Sequence, residues 1–469
     1  MIILGTNSIK DTGYEVANSC RFNEADSPDL SRATGETTGA TQWTFSAWIK
    51  RSTLGSLDNG GTFLGWYTST SKRSIFGFND DDKLYWWSDN GSGTQGDATT
   101  AAVFRDVSAW YHVVLKIDTP QASQSNRVKI YVNNVEQTLT FSGAHPAQSE
   151  ANTGMYGKSI IGASYYNTGT DRHFGGYLAE VCLIDDSALS PSSFGEADED
   201  SPNIWKPKDV SGLTFGSDGA YLDFEDSGNL GDDESGNGND YTVTNLAATD
   251  QATDTCTNNF ATFNSLFVYT TLKPSYSDGN LTAIFDNSGN NEHAPSTIAV
   301  ANGKWYGEFK WVSATGTGAT VTGVFPVDAD ISSDLNAQSH CYLGDGQKRV
   351  LNTSSSYGNS YTSGDIIGIA LDMDNNKLYF SKNGTWQDSG DPTSGSTGTG
   401  AISITADKTY FMYCSDYASS GNRSVDANFG SPETSVSSGN ADANGYGNME
   451  YSVPSGYFSL CTKNLAEFG

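Results

Sequence analysis

The chain has 469 residues, of which 36% are apolar and 12% aromatic, with 51 glycines and a formal net charge of −29. At ~100–200 residues per domain, two or three domains are expected. So acidic a surface repels phosphate backbones and anionic lipid, which excludes nucleic acid as the natural partner, and no stretch approaches the ~20 apolar residues of a membrane span.

The opening "MIILGTNSIKDTGYEV" has no basic n-region and an apolar run of only four residues. The expectation is a protein made in a cytosol without an ordinary export leader. Cys20, Cys182, Cys256, Cys341, Cys414 and Cys461 are far apart with no CxxC pair. Buried free thiols are expected rather than a disulfide framework.

Next come short alternating segments. In "WTFSAWIKR", Trp43, Phe45, Ala47 and Ile49 share a face. "TFLGWY" follows, then "SIFGFNDDDKLYWWS" with a reversal at Asn79 to Asp82, then "AWYHVVLKID". In "NRVKIYVNNVEQTLTF", Val128, Ile130 and Val132 face one way and Asn133-Asn134 turn the chain. "KSIIGAS" and "GGYLAEVCLID" complete the set. A strand every ten or so residues, with tight turns and no long helical period, predicts a sandwich or barrel.

In their order, "FSAWIKR", "WYHVVLKID", "VKIYVNNVEQ", "IIGAS" and "FGGYLAEVCLIDDSALS" resemble laminin-G-like, concanavalin-A-type jelly rolls over roughly Tyr14 to Pro191. Residues 196–262 form an acidic connector holding a strand-loop-strand segment, "YLDFEDSGNLGDDESGNGNDYTV". In laminin-G-like domains a similar "DxSGNGND" segment lies near the start of the sandwich. Here it comes late, and it either closes the first sandwich or opens the second.

The second module begins near Asn264. "KWYGEF", "GDIIGIALDMDNNKLYFSKNG" and "VDANFG", in that order, resemble a SPRY domain, a bent β-sandwich, over about Asn264 to Gly430. In that family the central hairpin is scaffold and the rim loops bind. Asp372, Asp374 and Asn376 therefore read as turn residues, with cation ligation as the outside alternative. The tail 431–469 is Ser/Gly/Asn-rich and then aromatic. Disorder suits its first half, and Tyr451, Tyr457, Phe458 and Leu460 can pack onto a domain or a partner.

The expected architecture is therefore all-β: two jelly-roll-type antiparallel β-sandwiches in tandem, at 1–195 and 263–430, with the connector 196–262 and the tail 431–469. Signs of catalysis are weak. The five histidines show no HExxH or HxH spacing. His340 and Cys341 are strand neighbours and point to opposite faces. "GSGTQG" at 91–96 matches GxGxxG but has no βαβ unit around it. "EADED" at 196–200 approximates the carboxylate pattern of a retaining glycosidase, yet it sits in a hydrophilic connector with nothing to raise one carboxyl's pKa.

A binding surface remains. Trp66, Tyr85, Trp86 and Trp87 are the candidate ligand contacts, because sugar rings stack on exposed aromatics. Trp86 and Trp87 must face opposite ways, so one of the pair is core. Asp232, Asp233, Asn237, Asn239 and Asp240 are a candidate structural calcium loop, since hard cations want clustered oxygens. The resemblance implies a non-enzymatic structural or adhesion component of a bacteriophage particle: a tail fibre, receptor-binding or capsid-decorating protein in the virion, made in the host cytoplasm and released by lysis. Its expected partners are other virion proteins, a host-surface glycan or protein, and further copies of itself, with no membrane insertion. The alternative is an extracellular polysaccharide-binding protein or glycoside hydrolase of a marine bacterium.

Overall fold

The computed structural model describes residues 13–34, 39–55, 61–151, 153–166, 169–269, 272–286, 291–332, 335–418 and 421–469; most of the N-terminal segment discussed above lies outside them. The chain divides into two compact units, one reaching to Thr257 and the other spanning Asn258–Gly469. Both are antiparallel β-sandwiches, so the all-β tandem expectation is borne out. Among the described residues all six cysteines are free thiols, and no helix is long and apolar enough to cross a membrane.

In the first unit, one sheet runs in the order Val135–Glu136, Val128–Val132, Trp110–Asp118, Gln42–Arg51, Gly176–Asp185, Ser19–Phe22, Gln251–Ala252. The facing sheet runs Leu139–Phe141, Thr94–Thr100, Leu84–Asn90, Lys72–Phe78, Thr62–Ser69, Lys158–Ile161, Asp29–Ala33, Thr242–Thr244. Alternation sends Phe45, Ile49, Leu115 and Leu178 of the first sheet against Leu64, Trp66, Phe76 and Trp86 of the second, in one continuous core. Each fully buried Phe or Leu contributes about 1.5–3 kcal/mol.

The two sheets differ on their outer faces. In the first, all ten residues of Gly176–Asp185 are buried, and so are nine of Gln42–Arg51. Side chains of both parities are covered because residues 186–257 return across the outside. Phe194, Val210, Phe215 and Tyr221 pack there on Val114, Cys182 and Ile184. Val16 and Ala252 pack on Trp48, Trp110, Tyr177 and Ala179. The late segment thus belongs to the first sandwich: Ala220–Leu222 pairs with Gly176–Asp185, and Thr242–Thr244 with Asp29–Ala33.

Polar bonds lock this cladding in place. Lys50 Nζ and Asp254 Oδ2 form a buried ion pair at 2.6 Å, and Trp110 Nε1 donates to Asp254 Oδ1 at 3.2 Å. Trp205 Nε1 donates to His112 Nδ1 at 2.9 Å, so His112 Nε2 carries the proton and donates to Ser46 Oγ at 2.8 Å. Burial pushes that imidazole down to about 3. Glu180 lies at a bulge of its strand with φ 51° and accepts from Tyr221 Oη at 2.8 Å and Tyr14 Oη at 3.3 Å.

The second unit follows the same plan. A nine-stranded sheet places Lys304–Ser313 between Arg423–Asn428 and Ile366–Asp372, and a six-stranded sheet faces it. The tail, whose first half reads as a disordered linker, is instead built in. Glu308 accepts from the Glu450 and Tyr451 amides, both at 2.8 Å. Asp442 accepts from the Asn444, Tyr446 and Ser459 amides. Buried carboxylates thus order a stretch too polar to form a core of its own. Tyr457 and Met449 then cover Tyr306 and Tyr379 on the outer face of the nine-stranded sheet. Phe458–Ser459 adds a parallel strand, and Thr462–Phe468 is helical.

Removing one partner of the cladding ion pair strands a buried charge. Asp254→Ala should cost about 3–5 kcal/mol by urea denaturation, and Lys50→Met with Asp254→Leu should recover much of that. Burial, chiefly, raises the Glu180 carboxyl to about 7, above the ordinary ~4.3. The fold then binds more protons than the unfolded chain in that window. This contribution to stability is full below ~4.3 and is lost as pH rises through about 7. Melting midpoints from acid to pH 8 should show a decline that Glu180→Gln flattens.

Candidate functional site

The second sheet of the first unit keeps an open outer face where the strands Lys72–Phe78, Leu84–Asn90 and Thr94–Thr100 lie side by side. Burial alternates along the latter two, as it must when one side faces a core and the other water. Register sets the outward rows. Trp87 stands between Ile75 and Asp97, Tyr85 between Gly77 and Thr99, and Arg73 beside Asp89. The paired strands Ser164–Tyr166 and Gly169–Asp171 border the face, with Tyr165 against Tyr67 at 4.3 Å between ring centroids.

The four candidate aromatics therefore divide. Trp66 and Trp86 are 1% and 0% exposed and lie inside the sandwich, where neither can touch a ligand. Trp66 packs edge-on to Trp43 at 6.3 Å. Trp86 lies against Gly96, where a Cβ would collide with the indole. Their parity decides this: both sit on the core-facing register of their strands. Tyr85 and Trp87 take the opposite parity and are half-buried on the open face. Sequence reading missed three neighbours, Arg73, Tyr166 and Asp97. Arg73 and Asp97 were legible from strand parity opposite Trp87, whereas Tyr166 arrives from a border strand with no sequence signal.

Unspent polar groups converge on this face. The Tyr85 hydroxyl, the Asp97 carboxylate and the Arg73 guanidinium make no hydrogen bond among the described residues. Burial, then Asp97, pushes Tyr85 up to about 12, so the phenol stays protonated and can donate. Burial also raises the Asp97 carboxyl. The arrangement offers one ring face, one hydroxyl donor, one carboxylate acceptor and one planar cation. It can hold a ligand with an apolar flat side and a polar rim.

The other candidates make bonds within the chain. Asp233 accepts from the Tyr221, Ser235 and Asn239 amides and from Ser235 Oγ, at 2.7–3.0 Å. The Asn237 and Asn239 side-chain amides donate to carbonyls of Gly216, Ser217 and Gly219. Asp240 Oδ1 accepts from the Asp233 amide, and Asp232 stands beside them in the loop. The oxygens proposed for calcium thus brace the loop, and no cluster of three or more His, Cys, Asp or Glu able to hold a metal occurs among the described residues. In "EADED", Asp198 is buried, pairs with Lys206 at 3.6 Å and accepts the Asp200 and Ser201 amides. Asp372 pairs with Lys304 at 3.0 Å and caps its turn through Asn375. Asp374 accepts the Gly303 amide. Cys341 and Tyr342 fall in different core clusters, as opposite strand faces require, while His340 meets Tyr410 edge-on at 6.0 Å.

Two families match the chain. Laminin_G_3, described as the concanavalin A-like lectin/glucanases superfamily, matches residues 25–193, and the SPRY domain matches 304–431. Among solved structures, the SPRY domain of human HERC1 is 20% identical, with 31% of this chain and 87% of that one covered and a TM-score of 0.25. A heptameric SAP-like pentraxin from Limulus polyphemus is 16% identical, covering 38% and 80%, with a TM-score of 0.28. The CBM40 of a Ruminococcus gnavus sialidase, bound to sialyllactose, is 15% identical, covering 40% and 96%, with a TM-score of 0.25. No curated protein matches significantly.

Replacing the two neighbouring indoles should separate their roles. Trp86→Ala should cost about 3–5 kcal/mol of unfolding free energy through the cavity it leaves. Trp87→Ala should cost about 1 kcal/mol or less.

Proposed function

For a chain that carries a concanavalin A-like lectin/glucanase domain followed by a SPRY domain, we propose a non-enzymatic binding protein that holds saccharides on the open face of its first sandwich. The observation that carries this reading is the set of Trp87, Tyr85 and Asp97 on one uncovered sheet face with their polar groups unspent. A sugar presents a C–H face that stacks on an indole and hydroxyls that need both donors and acceptors. The lectin content of the matched superfamily supports the same class of ligand.

Hydrolysis would need a second carboxylate placed ~5–10 Å from Asp97 across the bound bond. Two buried acids, Glu180 and Glu308, are spent on Tyr14 and Tyr221 in one unit and on the tail amides in the other. They stabilise the fold and do not face the open sheet. As the setting we infer the surface of a bacteriophage particle. Many copies on one particle would turn weak contacts into firm attachment. Mass spectrometry of purified particles tests this setting.

Binding is tested by affinity electrophoresis of the full chain through gels containing polysaccharide. Retardation is expected with at least one polymer, with no release of reducing ends and no change on adding EDTA. Trp87→Ala should abolish the retardation while leaving the melting midpoint within a few degrees. Retention of binding by Trp87→Ala would reject the face.

A further inference from the structure

The open face holds a cation that its surroundings leave without an anion. Resting on the saccharide reading above, we propose that Arg73 receives the oxyanion of an acidic sugar, so that the ligand class of this face is a negatively charged glycan. The Arg73 guanidinium carbon lies 5.1 Å from the Trp87 ring centroid and 4.4 Å from that of Tyr166. Aromatic rings therefore approach it on two sides. A guanidinium flanked by rings donates most readily in its own plane, the fork geometry that matches a carboxylate or sulfate.

That fork is not used internally. Arg73 Nε is buried with no hydrogen-bond partner, and Arg73 forms no ion pair among the described residues. Several other cations of the chain are paired. Lys50 pairs with Asp254, Arg51 and Arg105 with Asp82, Lys206 with Asp198 and Lys304 with Asp372. In a chain with 55 acidic and 26 basic side chains, carboxylates are plentiful. Asp89 and Asp171 act on Arg73 from beyond bonding distance, and Arg172 opposes it as a like charge.

The net charge of −29 does not forbid an acidic ligand. At physiological salt, charges further than about 8 Å are largely screened, so the groups of the face itself decide. Arg73 itself is only half-buried, which leaves part of it reachable from solvent. A uronic or sialic carboxylate and a sulfate ester share the required chemistry.

The test compares three polymers with the full chain: polygalacturonate, a sulfated galactan and a neutral galactan. The expected result is at least one charged polymer bound about tenfold more tightly than the neutral one, with affinity falling as NaCl rises. Preference between the first two identifies the oxyanion as carboxylate or sulfate. Arg73→Gln should weaken binding of the charged polymer about ten- to a hundredfold, the loss expected for a charge-assisted pair. The neutral polymer should lose less affinity than the charged one, and the melting midpoint should stay within a few degrees. Arg73→Lys, which keeps the charge but not the fork, should fall between. Equal binding of charged and neutral polymers, or unchanged binding by Arg73→Gln while Trp87→Ala abolishes it, overturns the acidic ligand and leaves the platform standing. No binding of any polymer, or binding indifferent to Trp87→Ala, overturns both.

Discussion

The first sandwich is organised by the covering of one sheet. Residues 186–257 lay Phe194, Val210, Phe215 and Tyr221 over the outside of the sheet that contains Gln42–Arg51 and Gly176–Asp185. Those strands could not otherwise carry apolar and aromatic side chains of both parities, since an exposed face of that composition would associate. The Lys50–Asp254 pair and the Trp205–His112–Ser46 chain fix the cover in one register. Buried polar bonds of this kind add little net energy, but they penalise any other docking of the same segment.

With one sheet covered, the outer face of the other becomes the broad surface left for a ligand. Its composition agrees. Outward positions on the Leu84–Asn90 strand carry Tyr85, Trp87 and Asp89, whereas inward ones carry Leu84, Trp86 and Ser88. The second unit uses its tail in the same way, closing Tyr306 and Tyr379 under Met449 and Tyr457. In each unit a polar late segment is ordered by buried carboxylates, Asp233 and Asp254 in one, Glu308 and Asp442 in the other. The acidity of the chain thus serves in part to bind its own backbone amides.

Much of the fold was legible because strand alternation is a local signal. Val128, Ile130 and Val132 share a face as their spacing requires, and Asn133-Asn134 turn the chain with positive φ at both residues. The division of Trp86 from Trp87 followed from parity alone. Trp66 did not, because nothing local told core from surface in "TFLGWY", where a bulge between Thr62 and Leu64 buries neighbours together. The covering role of 196–257 and the order of the tail were hidden for a related reason. Polar segments of this composition are docked by partners more than a hundred residues away, such as Asp254 by Lys50 and the Glu450 amide by Glu308. Arg73 went unnoticed because the absence of an ion pair is a property of the assembled face.

The measurement closest to the centre of this account is hydroxyl-radical footprinting of the full chain, read residue by residue. A covered first sheet and an open second one predict rapid oxidation of Trp87 and Tyr166 and strong protection of Trp48, Trp110 and Tyr177. Oxidation of those three at rates comparable to Trp87 would show that the late segment does not cover its sheet, and would contradict the account.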